Sequence, residues 1–194
     1  MHSAAILAGG RATRFGGRDK GALIVEGRTI LDRLMTELST LTDDIMIVGG
    51  AGRHPQARSI VDEVEGCGPL GGIHAALRGA RTSTVLVVAC DMPYVTAPLA
   101  AYLLGLAREA DAVVPQTERG WHPLAAVYTR GCLDTIVQRL ADGRWTLRDL
   151  FAEVRTRVVT GEEIERFGNR HRLLANVNTP AEYAGLEALQ GHTL

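Results

Sequence analysis

The chain has 194 residues, with 21 basic and 22 acidic side chains and a formal net charge of −1. That length suits one α/β domain with a modest insertion and is short for two, while the balanced charge argues against a general nucleic-acid or anionic-membrane binder. Cys67, Cys90 and Cys132 lie far apart without a C-x-x-C, no apolar run approaches the ~18 residues of a membrane span, and the N-terminus lacks a leader pattern, so a soluble cytoplasmic protein is expected.

Taken in chain order, Ala4–Ala8 reads as a buried strand ending in glycines, and Ile30–Leu41 carries apolar residues at helical spacing. Ile45–Val48 is a second strand, stopped by Gly49-Gly50, and an extended piece follows at Ile60-Val61. A helix is expected over Leu70–Arg81. Thr84–Ala89 (TVLVVA) is an unbroken, largely β-branched run suited to a central strand covered on both faces. Pro98–Ala110 reads as a helix and Ala112–Val114 as a strand. Beyond them come an extended piece at Leu124–Tyr128, helices at Leu133–Leu140 and Leu147–Ala152, and a strand at Arg155–Val159. A last helix is expected over Ala181–Leu189, with Thr179-Pro180 as its cap and first turn. The β-α-β-α-β series implies an α/β protein with a mostly parallel, doubly wound sheet in three layers and right-handed crossovers. No repeat or linker divides it, so a single domain over 1–194 is expected.

Two deviations in composition remain. Glycine is 22 of 194 residues and clustered, which points to special backbone geometry. Of the 21 basic residues twenty are Arg and one is Lys20. Base composition accounts for the arginines, and leaves the position of the one lysine to be explained. Lys20 closes the segment Leu7-Ala8-Gly9-Gly10-Arg11-Ala12-Thr13-Arg14-Phe15-Gly16-Gly17-Arg18-Asp19-Lys20. Paired glycines after a strand let backbone N–H groups turn toward a ligand, and with Arg14 and Lys20 they suit a triphosphate. Neither G-x-G-x-x-G nor G-x-x-x-x-G-K-[ST] is present, which excludes the two commonest phosphate loops. Taken alone, the segment also fits a surface turn with solvated charges.

L-A-G-G-x-x-x-R-x-G-x-x-K resembles the signature of nucleotidyltransferases. Three further segments, Gly68-Pro69-Leu70-Gly71-Gly72-Ile73, Cys90-Asp91-Met92-Pro93-Tyr94 and Asn176-Val177-Asn178-Thr179-Pro180, narrow the resemblance together with His122-Pro123-Leu124-Ala125-Ala126-Val127-Tyr128. In order and over nearly the whole chain, they resemble the molybdenum cofactor guanylyltransferase family. The resemblance implies a Rossmann-like nucleotide-diphospho-sugar transferase fold, with 1–115 mainly binding nucleotide and 116–194 mainly binding acceptor. It implies transfer of GMP from GTP to the terminal phosphate of the molybdenum-molybdopterin cofactor, forming molybdopterin guanine dinucleotide and pyrophosphate, with GTP and that cofactor as substrates. Cofactor insertion chaperones or molybdoenzymes are the implied partners.

Asp91 follows the strongest strand, and Pro93 cuts that strand off, leaving Asp91 at the lip of the sheet. A carboxylate facing a triphosphate calls for a cation, and Mg2+ is the natural one; the resemblance likewise implies that Asp91 is a Mg2+ ligand. The other reading makes Asp91 a cap for the next helix, although Thr96 is the better candidate for that. The implied GTP contacts are Leu7, Ala8, Gly9, Gly10, Arg14, Lys20, Asp62, Gly68, Gly71 and Asp91, with Lys20, Arg14 and Asp91 catalytic. On the residues alone Asp62 fits an ordinary loop acid, and Gly68–Ile73 a plain turn. Asn176 and Asn178 alternate along an extended segment, so their amides can face one heterocycle such as a pterin; turn chemistry explains them equally. His122 is a further acceptor-side candidate. Relatives commonly carry an Asn where this chain has Gly49-Gly50, which leaves the choice of base open. Expected alternatives are therefore a cytidylyltransferase for the same cofactor, a transferase for another small phosphate, and a non-catalytic nucleotide-binding module.

Overall fold

The computed structural model describes residues 1–8, 20–50, 53–62, 64 and 66–177. Gly9, Gly10, Arg14, Asn178 and the expected helix over Ala181–Leu189 lie outside them.

An eight-stranded sheet runs through the molecule. Its strands are β1 (Ser3–Leu7), β4 (Ile45–Val48), β5 (Arg58–Ile60), β6 (Thr84–Ala89), β7 (Ala112–Thr117), β8 (Gly120–Trp121), β9 (Ala125–Thr129) and β10 (Thr156–Thr160). The order is β10-β7-β9-β6-β1-β4-β5, with β8 paired to β7. β1 lies parallel to β6 and β4, and β4 is parallel to β5. β9 enters antiparallel between β6 and β7. The reason is length: β7 and β9 are joined by a few residues around β8, too few for the crossover that a parallel pair needs. A separate hairpin, β2 (Ile24–Val25) with β3 (Arg28–Thr29), leads into the first helix.

Seven helices complete the described residues: α1 (Ile30–Ser39), α2 (Pro69–Gly79), α3 (Ala97–Leu106), α4 (Leu133–Ala141), α5 (Leu147–Glu153), α6 (Gly161–Glu165) and α7 (Arg170–Leu173). α1 starts where the Thr29 hydroxyl accepts the Asp32 N–H at 3.0 Å, and it buries Ile30, Leu34, Met35 and Leu38 on one stripe. Alternation along the strands sends their side chains to two separate cores. Ala4, Ile6, Leu86 and Val88 meet α1, α3, α6 and α7 on one face. Ala5, Leu7, Val85 and Val87 meet α2, α4 and α5 on the other. The expected three-layer, mostly parallel architecture is therefore present.

Chain order fixes where the crevice lies. From β1 the chain passes outward to β4 and β5, then returns through α2 to β6 on the other side of β1. The strand order reverses between β1 and β6, and in open α/β sheets ligands bind at the carboxyl ends of such a pair.

Candidate functional site

Four chain segments meet at that reversal. The Cys90 N–H donates to the Leu7 carbonyl at 3.0 Å, tying the ends of β1 and β6 together. Ala8, the last described residue before the glycine-rich segment, donates its N–H to the Val48 carbonyl at 2.9 Å. A Cβ on Gly50, whose φ is +67°, would lie 2.6 Å from the Ala8 carbonyl oxygen. No other residue fits that approach without moving the backbone on which Ala8 rests. The Gly-Gly pair after β4 thus shapes the mouth of the glycine-rich segment.

Asp91 is partly buried directly beyond β6, with its Oδ1 shielded from solvent. It does not cap α3. Thr96 occupies the cap position without a side-chain bond, and the Ala97 N–H is instead taken by Glu37 Oε2 at 2.7 Å. Thr96, the better cap candidate, does stand at the cap position, and the side-chain bond there is supplied by Glu37 from α1 rather than by the Thr96 hydroxyl. Asp91 is accordingly left at the crevice, where its main-chain carbonyl accepts the Val177 N–H at 2.7 Å. This bond brings the Asn176 segment onto the Asp91 loop. Val177 is buried and Asn176 is exposed, as an extended alternation requires.

α2 supplies the opposite wall. Its first turn has Gly68 at the cap with no side-chain bond, followed by Pro69. A Cβ on Gly71 would meet the Val64 carbonyl at 2.9 Å and Asp62 Oδ1 at 3.1 Å, and one on Gly72 would touch Leu7 Cδ1 at 3.2 Å. Small residues therefore let the start of α2 close on β1 and on Asp62. Asp62 Oδ1 accepts the Val64 N–H at 3.1 Å, so this acid shapes its loop as well as standing beside the helix start.

His122 lies between β8 and β9 on the same edge of the sheet, since the Ala89 N–H donates to the Leu124 carbonyl at 2.8 Å. Its Nε2 is 2.9 Å from Thr117 Oγ1. Burial, aided by Arg119 and opposed by Glu118, pushes the imidazole below its usual pKa, so it is neutral at pH 7. Lys20 opens a short 3-10 turn, Lys20–Ala22, just ahead of the β2–β3 hairpin. The three cysteines are buried, and among the described residues no three His, Cys, Asp or Glu gather as a metal cage. Beside the Asp91 loop the guanidinium groups of Arg33 and Arg172 lie over the Tyr94 ring. Neither arginine stands in a recognisable spacing, so nothing in the sequence marks them as neighbours of this loop.

The described edge holds the kinds of groups that bind a polyanion and a cation: the backbone N–H groups at the start of α2 and the Asp91 carboxylate. Residues 4–158 match the model of the MobA-like NTP transferase domain. A probable molybdenum cofactor guanylyltransferase from Pelotomaculum thermopropionicum is 36% identical over 91% of this chain and 87% of its own. A molybdenum cofactor guanylyltransferase from Desulfosudis oleivorans is 32% identical over 94% and 93%. Among solved structures, molybdopterin-guanine dinucleotide biosynthesis protein A from Archaeoglobus fulgidus superposes with a TM-score of 0.80 over 100% of both chains at 23% identity. At that identity the last likeness bears on the fold alone.

Proposed function

Because the chain belongs to the MobA-like NTP transferase family, and is thus a nucleotidyltransferase, we propose that it transfers GMP from GTP to the terminal phosphate of molybdopterin, releasing pyrophosphate. The observation that carries this reading is the meeting of Ala8, Asp91, the first turn of α2 and the Asn176–Val177 segment at one crevice.

An oxygen of the acceptor phosphate forms a bond to the α-phosphorus of GTP, and the bond from that phosphorus to the bridging oxygen of the leaving pyrophosphate breaks. The nucleophile is already an anion, so no general base is required, and catalysis is chiefly alignment and charge stabilisation. Lys20 and Arg14, with the backbone of Leu7, Ala8, Gly9 and Gly10 beside them, would meet the triphosphate, although the Ala8 N–H expected to donate to it is already taken by the Val48 carbonyl. Gly68, Gly71 and Asp62 at the start of α2 would receive the nucleoside, whose flat base can lie against small residues. Asn176, Asn178 and His122 would face the acceptor, His122 as a neutral hydrogen-bonding group. On this reading residues 1–115 mainly bind nucleotide and 116–194 mainly bind acceptor.

Asp91 would hold Mg2+. One carboxylate completed by phosphate oxygens and water is how this cation is commonly bound, which fits the Asp91 carboxylate at the lip of the sheet. When bound, Mg2+ offsets negative charge on the phosphates. Among the described residues no helix is long and apolar enough to cross a membrane.

The test is incubation with molybdopterin, Mg2+ and each of the four ribonucleoside triphosphates in turn, with pyrophosphate as the readout. Release with GTP alone is expected. Release with CTP instead would make the protein a cytidylyltransferase for the same acceptor, and release with none would reduce it to a nucleotide-binding module.

A further inference from the structure

The tip of the β2–β3 hairpin is Glu26-Gly27, with φ of +48° at Glu26 and +77° at Gly27. Two-residue turns of this kind favour Asn, Asp or Gly, because other side chains are strained at positive φ. Local stability therefore does not account for a glutamate at this position. What glutamate adds is reach. Its Oε2 lies 2.9 Å from Arg33 Nη1 on α1, and its Oε1 lies 2.9 Å from Arg172 Nη2 on α7. Both guanidinium groups also lie over the Tyr94 ring, with Cζ to centroid distances of 5.5 Å for Arg33 and 4.5 Å for Arg172. Arg33 Nε donates to the Pro93 carbonyl at 3.3 Å.

Three of the four connected segments adjoin a candidate site residue. The hairpin begins just after Lys20. Its base is closed by the Ile30 N–H donating to the Leu23 carbonyl at 2.9 Å. Pro93 and Tyr94 continue the Asp91 loop. Arg172 is followed by Ala175, whose N–H donates to the Arg172 carbonyl at 3.1 Å, and then by Asn176 and by Val177 on the Asp91 carbonyl. A cleft of about 420 Å³, lined among others by Arg28, Arg33, Tyr94 and Arg172, lies alongside. A lone, partly exposed ion pair contributes little to folding. A carboxylate shared by two guanidiniums that also cover one aromatic ring instead fixes relative position, since its members come from four separate segments.

We infer that Glu26 is a positioning residue: through Arg172 it holds the 170–177 segment, and hence Asn176, against the Asp91 loop and in register with the Lys20 hairpin. The inference rests on the proposed acceptor role of Asn176, so its test includes a readout that needs no turnover. In the full chain, Glu26→Gln raises the KM for molybdopterin about five- to tenfold and leaves that for GTP within about twofold. Glu26→Gly relaxes the turn and gives the same acceptor defect with a thermal midpoint at or above that of the wild type. In both variants the Val177 amide exchanges its hydrogen faster. Arg172→Ala combined with Glu26→Gln is no worse than the poorer single variant. Unchanged acceptor KM and unchanged Val177 exchange in Glu26→Gly would overturn the inference. So would KM values for both substrates rising together with a lowered midpoint. If the wild type releases no pyrophosphate with any triphosphate, the proposed function fails, and Val177 exchange alone decides the role of Glu26.

Discussion

At the scale of single residues, Lys20 is the sharpest case. Twenty arginines stand elsewhere in the chain, so on the proposed function a lysine stands where a guanidinium would not serve. A compact ammonium on a flexible stem can follow charge as it builds on a leaving pyrophosphate, whereas the planar fork of arginine is suited to fixed bidentate pairing. Lys20→Ala is expected to lower turnover by about 10²–10³-fold, as loss of a donor aimed at developing charge does, with little change in the thermal midpoint. Lys20→Arg should also fall well below the wild type in single-turnover assays; full activity there would show that the lysine is a compositional accident. Asp91 was legible for a different reason. A strand pattern that stops at Asp-x-Pro places the acid at a sheet lip whatever its partners are. The work done by Gly50 was hidden, since sequence marks a glycine but not the carbonyl that comes within reach of its missing Cβ.

At the scale of elements, long periodic segments were readable and short ones were not. α1, α2 and β6 lie within a few residues of their expected spans because each carries enough apolar positions to set a period. The β2–β3 hairpin, with two residues per strand, and the five-residue α6 carry no period at all. α6 did leave a signal in Thr160-x-x-Glu163, the spacing of a capping box, and both reciprocal bonds of that box are formed. Glu163 also accepts the Tyr102 hydroxyl at 2.6 Å and pairs with Arg157, joining α6 to α3 and β10. Burial opposes its ionisation, but the Thr160 N–H, the Tyr102 hydroxyl and Arg157 together outweigh it and lower the carboxyl to about 2. The folded pKa thus lies below the unfolded value of about 4.5. The contribution is complete above pH 4.5 and is lost as the pH falls through 2. Glu163→Gln should therefore be less stable than the wild type by about 1–2 kcal/mol at pH 7. In urea titrations the two proteins should converge between pH 4.5 and 2, and a gap that stays constant with pH would show that packing rather than charge is responsible.

At the scale of the molecule, the sheet has two edges with different duties. The carboxyl edge carries Ala8, Asp91 and the neighbouring segments, while the amino edge is held by Asp44. Its Oδ2 accepts the Ser3 hydroxyl at 2.6 Å and the Arg81 N–H at 3.0 Å, and its Oδ1 accepts Arg58 Nη2 at 2.6 Å. One nearly buried carboxylate thereby ties the start of β1, the start of β5 and the turn between α2 and β6. Burial disfavours its charge, yet the Ser3, Arg81 and Arg58 contacts prevail and keep its pKa below the ordinary value. Asp44→Ala leaves the Ser3 hydroxyl with Thr82 Oγ1 alone and takes the carboxylate from the Arg81 N–H and from Arg58, which costs about 2–4 kcal/mol. For a chain of this length that lowers the thermal midpoint by about 5–15 °C. The loss should shrink at acid pH, where protonation removes the same contribution from the wild type. Because β1 is hydrogen-bonded to β4 on one side and to β6 on the other, damage at one end makes unfolding easier without moving the other end. KM values for GTP and acceptor, measured well below the midpoint, should then match those of the wild type. A change in either KM at that temperature would mean that strain at the amino edge is transmitted along β1 to Ala8 and the glycine-rich segment it carries.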